Sequence, residues 1–302
     1  SCTFCIVPSV RGAEVSRRLG DIVHEVEEFA HDGVSEITLL GQNVNSYGRD
    51  LGAGQYQPQF ADLLRAVDAV EGIRRVRYTS PHPKDLRPET IAAMADMPTV
   101  CEHLHLPLQS GSDRILAAMH RGYTAERYLE RLAAARASIE DLAVTTDIII
   151  GFPGETEEDF QATLEVAAIA DYDSAYTFIF SPREGTPAAL MEDHFVPADV
   201  VAARMIRLKT VVEASAVTKH AERVGRIEEV LVEGPSKNNP DQWSGRTRQN
   251  KLVHFAPPSD LVVGAYGMVE VISAAPHFLR GEWRELTALP RPSRIRIPLT
   301  VV

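Results

Sequence analysis

The sequence predicts an α/β barrel of parallel strands followed by a small all-β barrel. Three observations carry that prediction. After the first 18 residues, helical periodicity alternates with short apolar runs, as in βα units wound around a parallel sheet. Each apolar run ends in Gly, Pro, Asn or Ser, and polar clusters fall at those ends, where an α/β barrel gathers its chemistry. From Gly225 onward the period shortens to strands separated by Gly, Pro, Asn and Asp turns, as in a small closed barrel.

Taken in order, residues 21–31 read as an amphipathic helix with Ile22, Val23, Val26, Phe29 and Ala30 on one side. Gly33 ends it, and residues 36–44 form a strand. A helix over 60–70 leads to a strand over 75–80, where Pro81 and Pro83 break the chain. Residues 88–97 are helical and 102–108 are a strand, followed by a helix split into 112–120 and 125–139. Residues 144–152 are apolar enough for a strand buried on both faces. The helix over 155–170 carries carboxylates in its first turn, where the dipole favours them. A strand over 175–181 and a long helix over 198–223 close the large unit. Five strands are visible, and a sixth would precede Cys2, giving an open barrel of about six. The later strands are 226–232, 246–255, 266–272 and 282–286, while 291–302 has no pattern and reads as a tail. The expected domains are therefore 1–218 and 219–290.

The 302 residues are 44% hydrophobic, enough for a sizeable core. No apolar run approaches the roughly 18 residues of a membrane span, and no signal peptide is visible. Three cysteines, an odd and low number, argue against a disulfide framework and for a reducing, cytoplasmic setting. The net charge of −11 opposes nucleic-acid binding until the chain is divided. Residues 1–218 carry 19 basic and 33 acidic side chains, whereas 219–302 carry 12 and 9. That asymmetry supports an anionic partner docking on the C-terminal unit.

Cys2 and Cys5 form a C-x-x-C, which can hold zinc, exchange disulfides or ligate an iron–sulfur cluster. Zinc needs a second ligand pair, and neither another C-x-x-C nor an H-x-x-x-H exists. Thiol exchange favours a helix directly after the motif, and the polar run through Arg18 predicts none. Cys2-Thr3-Phe4-Cys5-Ile6-Val7-Pro8 resembles the end of the C-x-x-x-C-x-x-C loop of radical S-adenosylmethionine (SAM) enzymes. The first cysteine of that loop would lie four positions before Cys2. In that superfamily three thiolates hold a 4Fe-4S cluster and leave one iron open for SAM.

Further motifs narrow the resemblance to MiaB-type tRNA methylthiotransferases. They are Leu39-Leu40-Gly41-Gln42-Asn43-Val44-Asn45-Ser46-Tyr47-Gly48, Ser80-Pro81-His82-Pro83-Lys84-Asp85, and the run from Glu102 through His103, His105, Gln109 and Ser110 to Ser112. Thr146 to Thr156, containing Gly151-Phe152-Pro153-Gly154-Glu155, and Phe180 to Pro187, containing Ser181-Pro182-Arg183, complete the set. The resemblance covers residues 1 to about 290. It implies a partial (β/α)6 radical SAM barrel lacking its first strand, then a TRAM barrel. The implied activity is conversion of N(6)-dimethylallyladenosine, next to the tRNA anticodon, to its 2-methylthio form. Relatives acting on threonylcarbamoyladenosine differ at Gly41–Ser46.

The implied cofactors are SAM and a 4Fe-4S cluster on Cys2 and Cys5, with a second 4Fe-4S cluster in an N-terminal domain absent from this chain. The implied partners are tRNA and an electron donor such as a flavodoxin or ferredoxin. Gly41, Gln42 and Asn43 occupy the place of the turn that meets the methionine amino group; an ordinary β-turn is the plain alternative. Gln109 and Ser110 would bond the ribose or carboxylate, Gly151 would flank the adenine, and Arg183 would pair with a carboxylate or phosphate. Each can equally serve as a turn or helix cap. His103 and His105 face one side of a strand; they either shape the SAM pocket by hydrogen bonds or begin a hydrolase-like metal site. Cys101 is a small buried residue. Lys237, Trp243, Arg246, Arg248 and Lys251 place cations and an aromatic surface on adjoining hairpins, suited to phosphates and bases. A non-catalytic RNA-binding protein would show the same hairpins.

Overall fold

The computed structural model describes residues 2–51, 59–237 and 239–292. The large unit contains α1 (Val7–Arg11), α2 (Leu19–His31), β1 (Glu36–Leu39), α3 (Phe60–Asp68), β2 (Arg75–Tyr78), α4 (Pro88–Asp96) and β3 (His103–His105). It continues with α5 (Asp113–Ala118), α6 (Ala125–Ser138), β4 (Ala143–Ile150), α7 (Glu157–Ala170), β5 (Ser174–Ile179) and α8 (Ala198–Ala221). β1 pairs parallel with β2, and β3, β4 and β5 pair parallel in that order. A parallel bridge from Val76 to Val100 joins the two groups. The strands thus follow one another in chain order with helices between them, which is the winding of a barrel wall.

Local chemistry sets the element ends. Gln59 and Asp62 make a capping box on α3, and Thr156 and Asp159 make one on α7. Pro88 starts α4 at a position that needs no N–H. The strands are shorter than expected, because β1 stops at Leu39 and β3 at His105. Pro107 has no N–H to extend the β3 ladder. Contrary to expectation, a helix does follow Cys5: α1 has Pro8 in its first turn and ends at Gly12, φ 77°. β4 also differs, since Thr145, Asp147 and Ile149 on its inner face are half-buried rather than buried. Among the described residues β5 and β1 do not pair with each other.

The small unit is a closed barrel, in the order β10-β8-β7-β6-β9. Its strands are β6 (Ile227–Pro235), β7 (Trp243–Arg246), β8 (Leu252–Phe255), β9 (Tyr266–Ala275) and β10 (Phe278–Ala288). The expected strand over 246–255 is instead a hairpin. Asn250 takes φ 62°, and the Lys251 N–H donates to the Thr247 hydroxyl at 3.2 Å. α8 runs through position 219, so the small unit begins after Ala221. Of the expected tail, 293–302 lies outside the described residues.

The small barrel sits on the N-terminal ends of the large barrel's strands. Arg75, fully buried, donates to the Arg246 carbonyl at 2.7 Å, the Glu229 carbonyl at 2.9 Å and the Glu229 carboxylate at 3.1 Å. Arg77 donates to the carbonyls of Arg248 and Thr247, both at 2.8 Å. Replacing Arg75 with Met should cost about 3–5 kcal/mol, because the buried acceptors lose their donor. The exposed Arg74, which pairs with Glu229 at 3.0 Å, should cost at most about 1 kcal/mol when replaced by Met. Urea unfolding of both variants checks this, and equal losses would show that burial is not what makes Arg75 matter.

Candidate functional site

The cysteine loop is fixed by the two residues between the thiols. Thr3 N–H donates to the Met119 carbonyl at 3.2 Å and its hydroxyl to the Ala118 carbonyl at 2.9 Å. Phe4 packs edge-on against Phe152 at 6.4 Å, and Phe152 packs on Phe180 at 5.4 Å. With Thr3 and Phe4 turned inward, Cys2 and Cys5 are left half-buried and free of any disulfide. The loop therefore lies at the C-terminal end of the sheet, opposite the small barrel.

Three strand ends at this face turn through left-handed backbone: Ser80 at φ 60°, Gln109 at 65° and Gly151 at 72°. For Ser80 and Gln109 that conformation is uncommon. Gln109 also leaves its side-chain oxygen buried without a partner, at a cost of about 1–3 kcal/mol. Asn43 donates to Asp85 at 2.7 Å, while its own oxygen is buried and unpartnered. Asp85 is further held by Arg49, and its carboxyl sits below the usual range: burial opposes this, and the bonds from Asn43 and Arg49 outweigh it. Gly41, Gln42 and Asn43 line a cleft of about 480 Å³. None of the other predicted site residues lines it. Because consecutive residues 37–40 all line the cleft, it runs along the edge of β1 rather than over one face.

Other predicted residues are placed differently. Ser110 is fully buried, accepts from Ser112 N–H at 3.2 Å and contacts the Thr163 hydroxyl at 3.3 Å. It is committed to packing the β3 turn on α7, so its hydroxyl is not presented to a ligand. Gly151 is demanded by its backbone angle and by α8, since a Cβ would lie 2.7 Å from Val201. Arg183 is exposed, and its guanidinium forms no ion pair among the described residues. His103 and His105 both hydrogen-bond the Thr145 hydroxyl at 3.0 Å, and His105 faces Asp147 at 3.4 Å. Among the described residues no three His, Cys, Asp or Glu side chains converge as a metal site.

The hairpin cations also need correction. Lys251 is buried against Asp173 at 2.5 Å, and Arg248 grips Glu102 twice at 2.7 Å. Arg246 is tied to Glu233 at 3.1 Å. Lys251 and Arg248 thus neutralise carboxylates across the seam between the barrels, whereas the Arg246–Glu233 pair is part-exposed within the small barrel. Lys237 remains exposed, and Trp243 is half-buried against the small barrel's core.

Comparison with known proteins places this geometry. The radical SAM superfamily profile matches residues 1–167, and the TRAM domain profile matches 221–283. The chain belongs to the radical SAM superfamily. A tRNA-2-methylthio-N(6)-dimethylallyladenosine synthase of Moorella thermoacetica is 50% identical over 93% of this chain and 62% of its own length. One of Acidothermus cellulolyticus is 52% identical over 92% of this chain and 56% of its own. The chain thus spans about three-fifths of the curated relatives it matches. A radical S-adenosylmethionine methyltransferase, TsrM, of Kitasatospora setae shares the fold with TM-score 0.50 and 17% identity, over 62% of this chain and 36% of that one.

One residue of this radical SAM chain escaped sequence reasoning. Arg121, 8% exposed, donates to the Cys2 sulfur at 3.2 Å and to the Tyr123 hydroxyl at 3.3 Å. Nothing in the spacing links position 121 to position 2. The only local signal is a cation beside Gly122 in a loop that the fold buries.

Two histidines give the fold a pH signature. His103 is pushed down to about 3 by burial and then by the charges of Arg77, His105 and Lys251. His82 is pushed down to about 3 by burial and then by Arg121. In the unfolded chain both titrate near 6.5. Below that pH the unfolded state takes up protons that the folded state refuses, so stability falls as pH drops from about 6.5 toward 3. Replacing His103 with Gln should reduce the fall in melting temperature between about pH 7 and pH 5. Parallel curves for variant and wild type would show that His103 titrates normally in the fold.

Proposed function

We propose that this chain is the radical SAM and TRAM portion of a tRNA methylthiotransferase that adds a 2-methylthio group to N(6)-dimethylallyladenosine next to the anticodon. What supports it most is 50–52% identity, over nine-tenths of the chain, to synthases bearing that name. The residues present fit the expected cofactors. Cys2 and Cys5 offer soft thiolate ligands, and the third is expected four positions upstream. Arg121 offers a buried positive charge with no carboxylate attached. The unpartnered oxygens of Asn43 and Gln109 are acceptors, suited to the ammonium and hydroxyl donors of SAM.

When bound, the cluster would supply the single electron that cleaves SAM. The chain's own part is placement and exclusion of water. Phe4, Phe152, Phe180 and Phe195 form a continuous aromatic wall behind the cysteine loop. Gly41, Gln42 and Asn43 would position the methionine end of SAM, Gln109 a polar edge, and Gly151 the approach of the adenine. Arg183 is available to a phosphate or carboxylate. Lys237, exposed on its hairpin, and Trp243 would meet tRNA. An electron donor such as a flavodoxin or ferredoxin, a second 4Fe-4S cluster in the N-terminal region, and a cytoplasmic setting complete the proposal. Among the described residues no helix is long and apolar enough to cross a membrane.

The test is anaerobic reaction of the full-length holoenzyme with SAM, a reductant and dimethylallyl-modified tRNA, followed by mass spectrometry of the nucleosides. A 2-methylthio product is expected; cleaved SAM without methylthiolation would point to another radical reaction. Asn43→Ala should weaken SAM binding about 10-fold, since one hydrogen bond to a charged group is worth about 1.5–3 kcal/mol; unchanged affinity in calorimetry would remove Asn43 from the site. For tRNA, Lys237→Ala should weaken binding and lower the salt slope by about one. Arg248→Ala should instead lower stability and leave that slope unchanged, as filter binding across a salt series would show.

A further inference from the structure

Arg121 is in an unusual position for a cation. It is 8% exposed, yet no Asp or Glu pairs with it among the described residues. Its bonds go to the Cys2 sulfur and the Tyr123 hydroxyl, and it also contacts the Tyr123 ring at 5.5 Å. The neighbouring turn offers no anion either. Asp85 is already held by Arg49 and Asn43, and the other polar residues of that turn, Ser80, His82 and Lys84, carry no negative charge. A buried guanidinium without a counter-charge is strongly disfavoured. Of the two groups it bonds, the Tyr123 hydroxyl is pushed further from ionisation by burial, which leaves the Cys2 sulfur as the one that can carry full negative charge.

We propose that Arg121 is the counter-ion of the iron–sulfur cluster and a positioning residue that tunes its reduction potential. The proposal rests on Cys2 and Cys5 being cluster ligands. Reduction adds one electron and no proton to the cluster, so its negative charge rises by one. A fixed cation hydrogen-bonded to a ligand sulfur favours that reduced state, because cluster potentials follow net charge and the hydrogen bonds to sulfur. The location beneath the loop is also protected: Thr3 is pinned to Ala118 and Met119, which lie three and two positions before Arg121. The loop and the arginine are therefore held in one rigid unit, and the cation cannot drift from the sulfur.

The experiment is an EPR-monitored redox titration of the full-length holoenzyme, reconstituted anaerobically with iron and sulfide, as wild type, Arg121→Lys and Arg121→Gln. Iron and sulfide content and thermal melting are measured on the same samples. The expected result is a clearly more negative potential for Arg121→Gln, with Arg121→Lys close to wild type. If Arg121→Gln folds but holds no cluster while Arg121→Lys retains one, the charge requirement is equally supported. A wild-type potential in a fully loaded Arg121→Gln would overturn the proposal. So would equal loss of cluster in both variants, since that marks a packing role rather than a charge. A Cys2→Ala, Cys5→Ala double variant that keeps the wild-type iron and sulfide content would overturn the ligand assignment itself, independently of the Arg121 variants, because any other cluster of the full chain loads equally in both proteins.

Discussion

A guanidinium that leaves water must be met by acceptors, and the architecture of this protein follows from where two of them find theirs. Arg75 and Arg77 lie on β2, and both are buried. Their acceptors are the backbone carbonyls of Glu229, Arg246, Thr247 and Arg248 in the small barrel. Neither unit can satisfy these groups alone, so the two barrels are locked together at the N-terminal ends of the strands. Around that centre Glu102, Asp141 and Asp173 receive Arg248, Arg223 and Lys251. The base of the large barrel is closed by this arrangement, which leaves the opposite end for chemistry.

Both ends hold buried polar atoms without a hydrogen-bond partner among the described residues, Arg75 Nε and the Gln249 oxygen at the base and the Asn43 and Gln109 oxygens at the opposite end. Ser80 and Gln109 adopt left-handed backbone, and acceptors on Asn43 and Gln109 are buried without donors. Arg121 is buried without a carboxylate. Strain and unmet polar groups persist where the surroundings enforce them, and they cluster at ligand sites. At the cysteine-loop face two unpartnered acceptors, and a cation bonded to a thiol sulfur and a phenol rather than to a carboxylate, lie beside two thiols. That combination suits a ligand with donor groups and a cluster with negative charge.

The charge asymmetry of the chain has a different meaning in three dimensions. The C-terminal unit is basic and the remainder acidic, which is the pattern expected for capture of an anionic polymer. Much of that difference is used internally: Arg248, Lys251 and Arg223 cross or line the seam to neutralise Glu102, Asp173 and Asp141. A surface estimate made from composition counts these cations as free. Lys237, by contrast, stays exposed, and Trp243 is half-buried.

By itself the sequence determined the alternation of strands and helices, the switch to short strands after Gly225, and the turns at the strand ends. These depend on periodicity within a few residues and on the backbone preferences of Gly, Pro and Asn, so they are written locally. It also carried the motifs by which the radical SAM family is read. Only the tertiary structure decided that Ser110 packs on α7, that residues 246–255 fold back as a hairpin, and which cations remain exposed. Arg121 and Cys2 are 119 residues apart, Arg248 and Glu102 are 146 apart, and Lys251 and Asp173 are 78 apart. No local pattern encodes such pairs. They form because packing two barrels removes these charges from water, and each must then take whatever partner the fold has brought within reach.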